Sequence, residues 1–175
     1  MNVKKITACA LFIALATVLS LIKIYRLPFG GDVTALSMLF IVLPAWIYGP
    51  KEGFLCGLIY GAIQFVLGAY IISVPQVILD YVLAFSVMGV AGLVKDKSLS
   101  FGYSLAILAR WLIATAAGLA WIAAGSTAWS GWAPLPYSMA YNGAYIFTEA
   151  IVTIIVISMP PMKRALNYVK SLAKY

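Results

Sequence analysis

Between Gly53 and Val94 the chain carries a single charge, Asp80, in 42 residues. Such a stretch leaves few folds open. In hydrocarbon the backbone N–H and C=O groups find no water, so a segment like this must bond them internally, as helices or as a closed barrel. The apolar residues run continuously and do not alternate with polar ones, which disfavours barrel strands. The rest of the 175 residues follows suit: 64% are hydrophobic and 10% charged, against about 25% charged in an ordinary soluble domain, and the mean hydropathy is +1.01.

Apolar stretches near spanning length predict an all-α, polytopic membrane protein with six transmembrane helices, at about Ile6–Ile22, Thr34–Tyr48, Gly53–Leu67, Gln76–Val94, Tyr103–Ala123 and Ala140–Met159. No polar linker divides the chain, so residues 1–175 read as one transmembrane domain. Lys4 and Lys5 before an apolar run would suit a secretory signal, but no small-residue cleavage site follows, and helix one reads as a retained span.

Six spans put both termini on one side. That side collects Lys4, Lys5, Lys51, Lys95, Lys97, Lys163, Arg164, Lys170 and Lys174, and the other only Lys23 and Arg26. This asymmetry predicts cytoplasmic termini in a multi-pass protein of the cell membrane. The net charge of +7 is mostly this topology signal, and the scattered bases give no support to a nucleic-acid role.

Much catalytic chemistry is excluded by what the chain lacks. With no histidine, the commonest metal ligand and general base is missing. Cys9 and Cys56 fall within spans and read as small apolar side chains, so no metal site is expected. There is no Gly-x-x-x-x-Gly-Lys-Ser/Thr loop to cradle phosphates, hence no ATP site of that kind, and no cofactor is expected in this chain. A non-enzymatic role is the expectation.

The polar groups converge at one membrane face. Helix four enters from outside, which puts Asp80 and Tyr81 about one turn below its outer end. Helix six also enters from outside and brings Tyr141, Asn142 and Tyr145 to that level. Tyr70 precedes helix four, Trp121 ends helix five, and the loop between helices five and six adds Trp129, Trp132 and Tyr137. An interfacial belt would account for many of these rings, but not for Asp80 or Asn142. A carboxylate beside aromatic faces suits an organic cation, which pairs with the acid while a flat ring stacks on indole or phenol. The expected ligand-binding set is therefore Asp80, Tyr81, Tyr70, Trp121, Trp129, Trp132, Tyr137 and Asn142.

Two other charges lie inside spans. Arg110 falls roughly 20 Å and Glu149 roughly 14 Å below the outer ends of their helices, within reach of a structural ion pair that leaves Asp80 free. Helix one carries Ala10 and Ala14 one turn apart on one face, where another helix of this chain or another subunit could approach closely.

Three segments resemble the thiamine-specific substrate-binding (S) component of energy-coupling factor vitamin transporters, the ThiT family. They are Tyr48-Gly49-Pro50-Lys51-Glu52-Gly53, the run Gln76 to Phe85 continuing to Gly89-Val90-Ala91-Gly92-Leu93, and Tyr137-Ser138-Met139-Ala140-Tyr141-Asn142-Gly143. The resemblance implies a six-helix protein that captures thiamine from outside. Its partners would be a transmembrane coupling protein and two ATPase subunits, which consume the ATP. It also implies that Asp80 stands where the family has an acidic contact to the thiamine cation. Tyr81, Tyr137 and Asn142 fall on ligand-contacting positions, Tyr70 and Trp129 on outer-loop ones, and Ala10 and Ala14 on the motif that docks the coupling protein. Departures from the family pattern are Asp80 for glutamate, Ala114 for a histidine and Ile122 for a stacking tryptophan. They leave open a thiamine precursor or another cationic vitamin as ligand. From the residues alone, a stand-alone proton-coupled secondary carrier is also open.

Overall fold

The computed structural model describes residues 3–125 and 131–173. Helix α1 spans Val3–Leu21, a short hairpin follows (β1 Lys23–Arg26, β2 Asp32–Thr34), and then come α2 Ser37–Tyr48 and α3 Pro50–Gly68. Next are α4 Val74–Val94, α5 Leu99–Ala123, α6 Pro134–Ser158 and α7 Pro160–Leu172. Each of the six predicted spans has a helix, and four of them, α1, α4, α5 and α6, are long and apolar enough to cross a bilayer. At 12 residues, α2 falls short of a spanning length.

The largest difference at a helix start falls at a proline, Pro134. Proline fits the first turn of a helix because its missing N–H would be unpaired there in any case. Thus Pro50 and Pro134 open α3 and α6, and α6 starts six residues before the predicted Ala140. Pro160 opens α7, a helix absent from the sequence-based expectation. The hairpin was not expected either. Its strands are antiparallel, with Arg26 opposite Asp32 and an irregularity between Lys23 and Tyr25. Asp32 pairs with both Lys23 and Arg26, so the two bases of the predicted outer side are offset by one acid.

Burial follows helical spacing. On α1 the inward side chains are Cys9, Ile13, Ala16 and Ser20, while Leu11, Leu15 and Val18 face outward. Ala10 and Ala14 also lie on the outward, exposed side. Leu108 and Leu112 on α5, and Ile151 and Ile155 on α6, form further outward pairs at i, i+4. Between helices in lipid, close backbone approach takes over much of the role that apolar burial plays in water. The α3–α4 contact is of this kind. Gly53, Gly57 and Gly61 recur every four residues along α3, and a Cβ at Gly57 or Gly61 would lie 2.3 Å from the Phe85 carbonyl oxygen or 1.8 Å from that of Tyr81. Gly89 and Gly92 on α4 make the reciprocal approach to Phe54 and Pro50.

Helix α4 is not uniform. Around Asp80 it widens into a π turn over Ile78–Leu83, with the Ala84 N–H donating to the Leu79 carbonyl, and beyond Val87 it tightens into 3₁₀ geometry. A π turn re-aims the side chains it carries and is frequent at functional sites.

At the opposite end of the bundle, Lys5 pairs with Glu52 at 3.5 Å. Lys170 of α7 stacks on the Trp46 ring and donates to the Lys95 carbonyl, and the Trp46 indole donates to the Lys97 carbonyl.

Candidate ligand-binding site

A cavity of about 210 Å³ opens at the hairpin end of the bundle. Its walls come from α1 to α6 and the hairpin, and they include Asp80, Tyr81, Tyr70, Trp121, Tyr137 and Asn142. Six of the eight predicted ligand-binding residues therefore share one cavity. Trp132 does not: it is 53% exposed and lies outside the lining, because α6 begins at Pro134 and leaves it on the rim. Trp129 lies outside the described residues.

Asp80 receives one hydrogen bond among the described residues, from Gln76 Nε2 at 2.7 Å, one helical turn earlier. Among the described residues no base forms an ion pair with it; the ion pairs are Lys5–Glu52 and the two of Asp32. Gln76 is itself buried and tied to the preceding loop, accepting from the Ile72 N–H and donating to the Tyr70 carbonyl. The Tyr81 hydroxyl accepts from the Tyr70 N–H at 3.0 Å. Loop 69–73 and the π turn thus brace each other and hold at the cavity wall a carboxylate whose second oxygen has no hydrogen-bond partner among the described residues.

Aromatic rings cover the other walls. Phe29 and Tyr70 lie 5.3 Å and 6.4 Å from Trp121, centroid to centroid, and Tyr137, Tyr141 and Tyr145 follow one another at 6.0 Å steps along α6. The Trp121 indole N–H is buried with no acceptor among the described residues. Phe29 reaches its ring partner from a left-handed backbone (φ 67°), a conformation that costs a phenylalanine about 1–3 kcal/mol. Tyr141 anchors the same turn: its hydroxyl accepts from the Gly31 N–H at 2.9 Å and donates to the Pro28 carbonyl. A Cβ at Gly31 would come 2.8 Å from Tyr145 Cδ1 and 2.9 Å from that hydroxyl, so a larger residue here would displace both rings. Tyr141→Phe is expected to release the turn at a cost of about 1 kcal/mol, read as roughly fivefold faster amide exchange at Gly31, with the protection of α5 unchanged.

Asn142 spends its amide within α6 and so shapes the wall. It donates to the Ser138 carbonyl at 3.0 Å and accepts from the Tyr145 hydroxyl at 2.8 Å. Ala114, which stands where the resemblance expects histidine, is buried off the cavity, whereas Ile122 lines it.

The predicted Arg110–Glu149 ion pair does not form. Glu149, 3% exposed, instead serves the start of α2. One of its oxygens accepts from the Thr34 N–H (3.0 Å) and hydroxyl (2.7 Å), the other from the Met38 N–H (3.2 Å) and the Ser37 hydroxyl (3.3 Å). Leu36, at the N-cap of α2, has no side-chain acceptor, so a carboxylate from α6 caps the helix and meets the positive end of its dipole. Arg110 packs its guanidinium over the Phe85 ring at 4.4 Å, and its Nε is buried without a hydrogen-bond partner among the described residues. Both residues line the cavity.

Sequence reasoning missed Gln76, Phe29 and the capping role of Glu149. Gln76 was detectable, lying one helical turn before Asp80. The two others depend on pairings more than 90 residues apart, Phe29 with Trp121 and Thr34 with Glu149.

Comparison with known families decides the assignment. Residues 6–168 match the family described as thiamine transporter protein (Thia_YuaJ). The chain belongs to this family. It is similar to the thiamine transporter ThiT of Bacillus subtilis (strain 168), at 27% identity over 86% of each chain. It is also similar to the solved structure of ThiT from Listeria monocytogenes, with a TM-score of 0.77 at 26% identity, over 97% of this chain and 96% of that one. As a Thia_YuaJ protein with several apolar helices it is a multi-pass protein of the cell membrane, and a transporter rather than an enzyme.

Proposed function

We propose that this Thia_YuaJ protein is the substrate-binding subunit of an ATP-driven vitamin transporter and takes thiamine from the outside of the cell. The observation that carries the reading is Asp80: a carboxylate that forms no ion pair among the described residues, with Arg110 of the same lining acting on it only through space, on the wall of an aromatic cavity inside a membrane-spanning helix. Such a charge is costly to bury, and a bound organic cation compensates it. Thiamine supplies a cationic ring for the acid and flat faces for Trp121 and the phenols. In this reading both termini are cytoplasmic, Tyr81, Tyr70, Tyr137 and Asn142 complete the site, and Ala10 and Ala14 face the coupling protein. Two ATPases complete the assembly and supply the energy.

Purified protein titrated with thiamine, its phosphates and its pyrimidine half is expected to show tryptophan quenching, strongest with thiamine. Asp80→Asn is expected to weaken thiamine binding by more than about tenfold, or ~1.4 kcal/mol. Unchanged affinity would remove Asp80 from the site. Ala10→Trp or Ala14→Trp is expected to spare binding and block uptake in cells. If the purified chain alone, reconstituted without ATPases, took up thiamine, a stand-alone carrier would replace the coupled assembly.

A further inference from the structure

Helix α7 has more apolar surface than the protein covers. Leu166 packs against the core, and Lys170 is fixed to Trp46 and Lys95, so one edge of the helix is docked on the bundle. At 100° per residue, Ala165, Tyr168, Val169 and Leu172 form a strip that continues the docked edge outward. It is exposed: Tyr168 by 65% and Leu172 by 57%. Lys163 and Arg164 project from the remaining, polar face with Asn167 and Ser171, and no carboxylate among the described residues pairs with either base.

The position of α7 determines what covers this strip. It starts immediately after the spanning helix α6, where Met159 leaves helical geometry and Pro160 begins a new helix. It lies at the end of the bundle that also carries Lys51, Lys95 and Lys97, a level where a spanning helix meets headgroups. A helix with one apolar and one basic face at that depth has the composition of an interfacial helix. We propose that α7 lies in the headgroup layer of the bilayer its own chain spans. Tyr168 and Leu172 then sit at the acyl boundary, with Lys163 and Arg164 on anionic lipid phosphates. This rests on the membrane placement and is independent of the ligand.

The test uses the full-length protein in vesicles of phosphatidylcholine alone or mixed with phosphatidylglycerol. Nitroxide labels go on cysteines introduced at Tyr168, Leu172, Asn167 or Ser171; native Cys9 and Cys56 are buried. In the mixed vesicles, labels at 168 and 172 are expected to collide with oxygen in preference to an aqueous nickel complex, and those at 167 and 171 the reverse. Lys163→Gln and Arg164→Gln, both at exposed positions, are expected to lower the ratio of docked to undocked helix by roughly fivefold per charge in the mixture, and not in phosphatidylcholine. Equal nickel access at all four positions would overturn the placement. Identical docking in both lipids, indifferent to the two substitutions, would overturn the role of anionic headgroups. If labels at 168 and 172 stayed in water until a protein partner was added, the strip would belong to that partner instead.

Discussion

Gly61→Leu is expected to leave little or no folded protein, and Gly57→Leu the same. The reason is distance. A Cβ at position 61 would sit 1.8 Å from the Tyr81 carbonyl oxygen, and one at 57 would sit 2.3 Å from that of Phe85. In both cases the obstacle is backbone, which has no rotamer through which to yield. Even alanine forces α3 and α4 apart, at about 3 kcal/mol, the upper end of ordinary overpacking. Gly61→Ala carries a second consequence, because Tyr81 belongs to the π turn that holds Asp80. Moving that carbonyl moves the carboxylate, so ligand affinity falls along with stability. Gly102→Ala is the control: its new Cβ would meet nothing closer than 3.4 Å, and its effect is expected within about 0.5 kcal/mol. Thermal midpoints and the yield of monodisperse protein in detergent check the series. Equal midpoints for Gly61→Ala and Gly102→Ala would show that the two helices are not in backbone contact.

Glu149→Ala is the second large effect. Its carboxylate accepts from two backbone N–H groups and two hydroxyls, and its removal strands buried donors at the start of α2. A cost of about 3 kcal/mol is expected, or a fall in midpoint of roughly 10 °C for a chain of this size. Glu149→Gln recovers only part, because every partner is a donor and the amide nitrogen must confront some of them. Exchanging the charges, Arg110→Glu with Glu149→Arg, is expected to give no rescue, since the two side chains do not pair. Full rescue by the exchange would restore the ion pair that the geometry replaces with a cap.

The helices were legible because the bilayer allows few alternatives: long apolar runs must satisfy their own backbone, and Leu99–Ala123 or Val74–Val94 can do so only by coiling. Asp80 was legible for the same reason, as the lone charge in such a run. What escaped was of two kinds. The cap of Glu149 on α2 and the Phe29–Trp121 contact join residues far apart in the chain, and nothing local announces them. The three glycines spaced by four along α3 and the amphipathic pattern from Met162 to Leu172 are local and readable, but overall hydropathy and charge do not reveal them. The hairpin is too short and too irregular at Lys23–Tyr25 to leave a pattern. Arg110 and Glu149 do not pair because similar depth along two helices leaves the rotation of each undetermined: Glu149 points toward Thr34 and Met38, Arg110 over Phe85.

The coupling between Asp80 and ligand charge is open to one direct measurement. Thiamine and an analogue whose cationic thiazolium is replaced by a neutral ring of the same shape are titrated against the wild-type chain and against Asp80→Asn, closing a double-mutant cycle. The wild type is expected to prefer thiamine by at least about tenfold, and Asp80→Asn to bind the two almost equally. An undiminished preference in Asp80→Asn would contradict the account and place the cation elsewhere in the cavity.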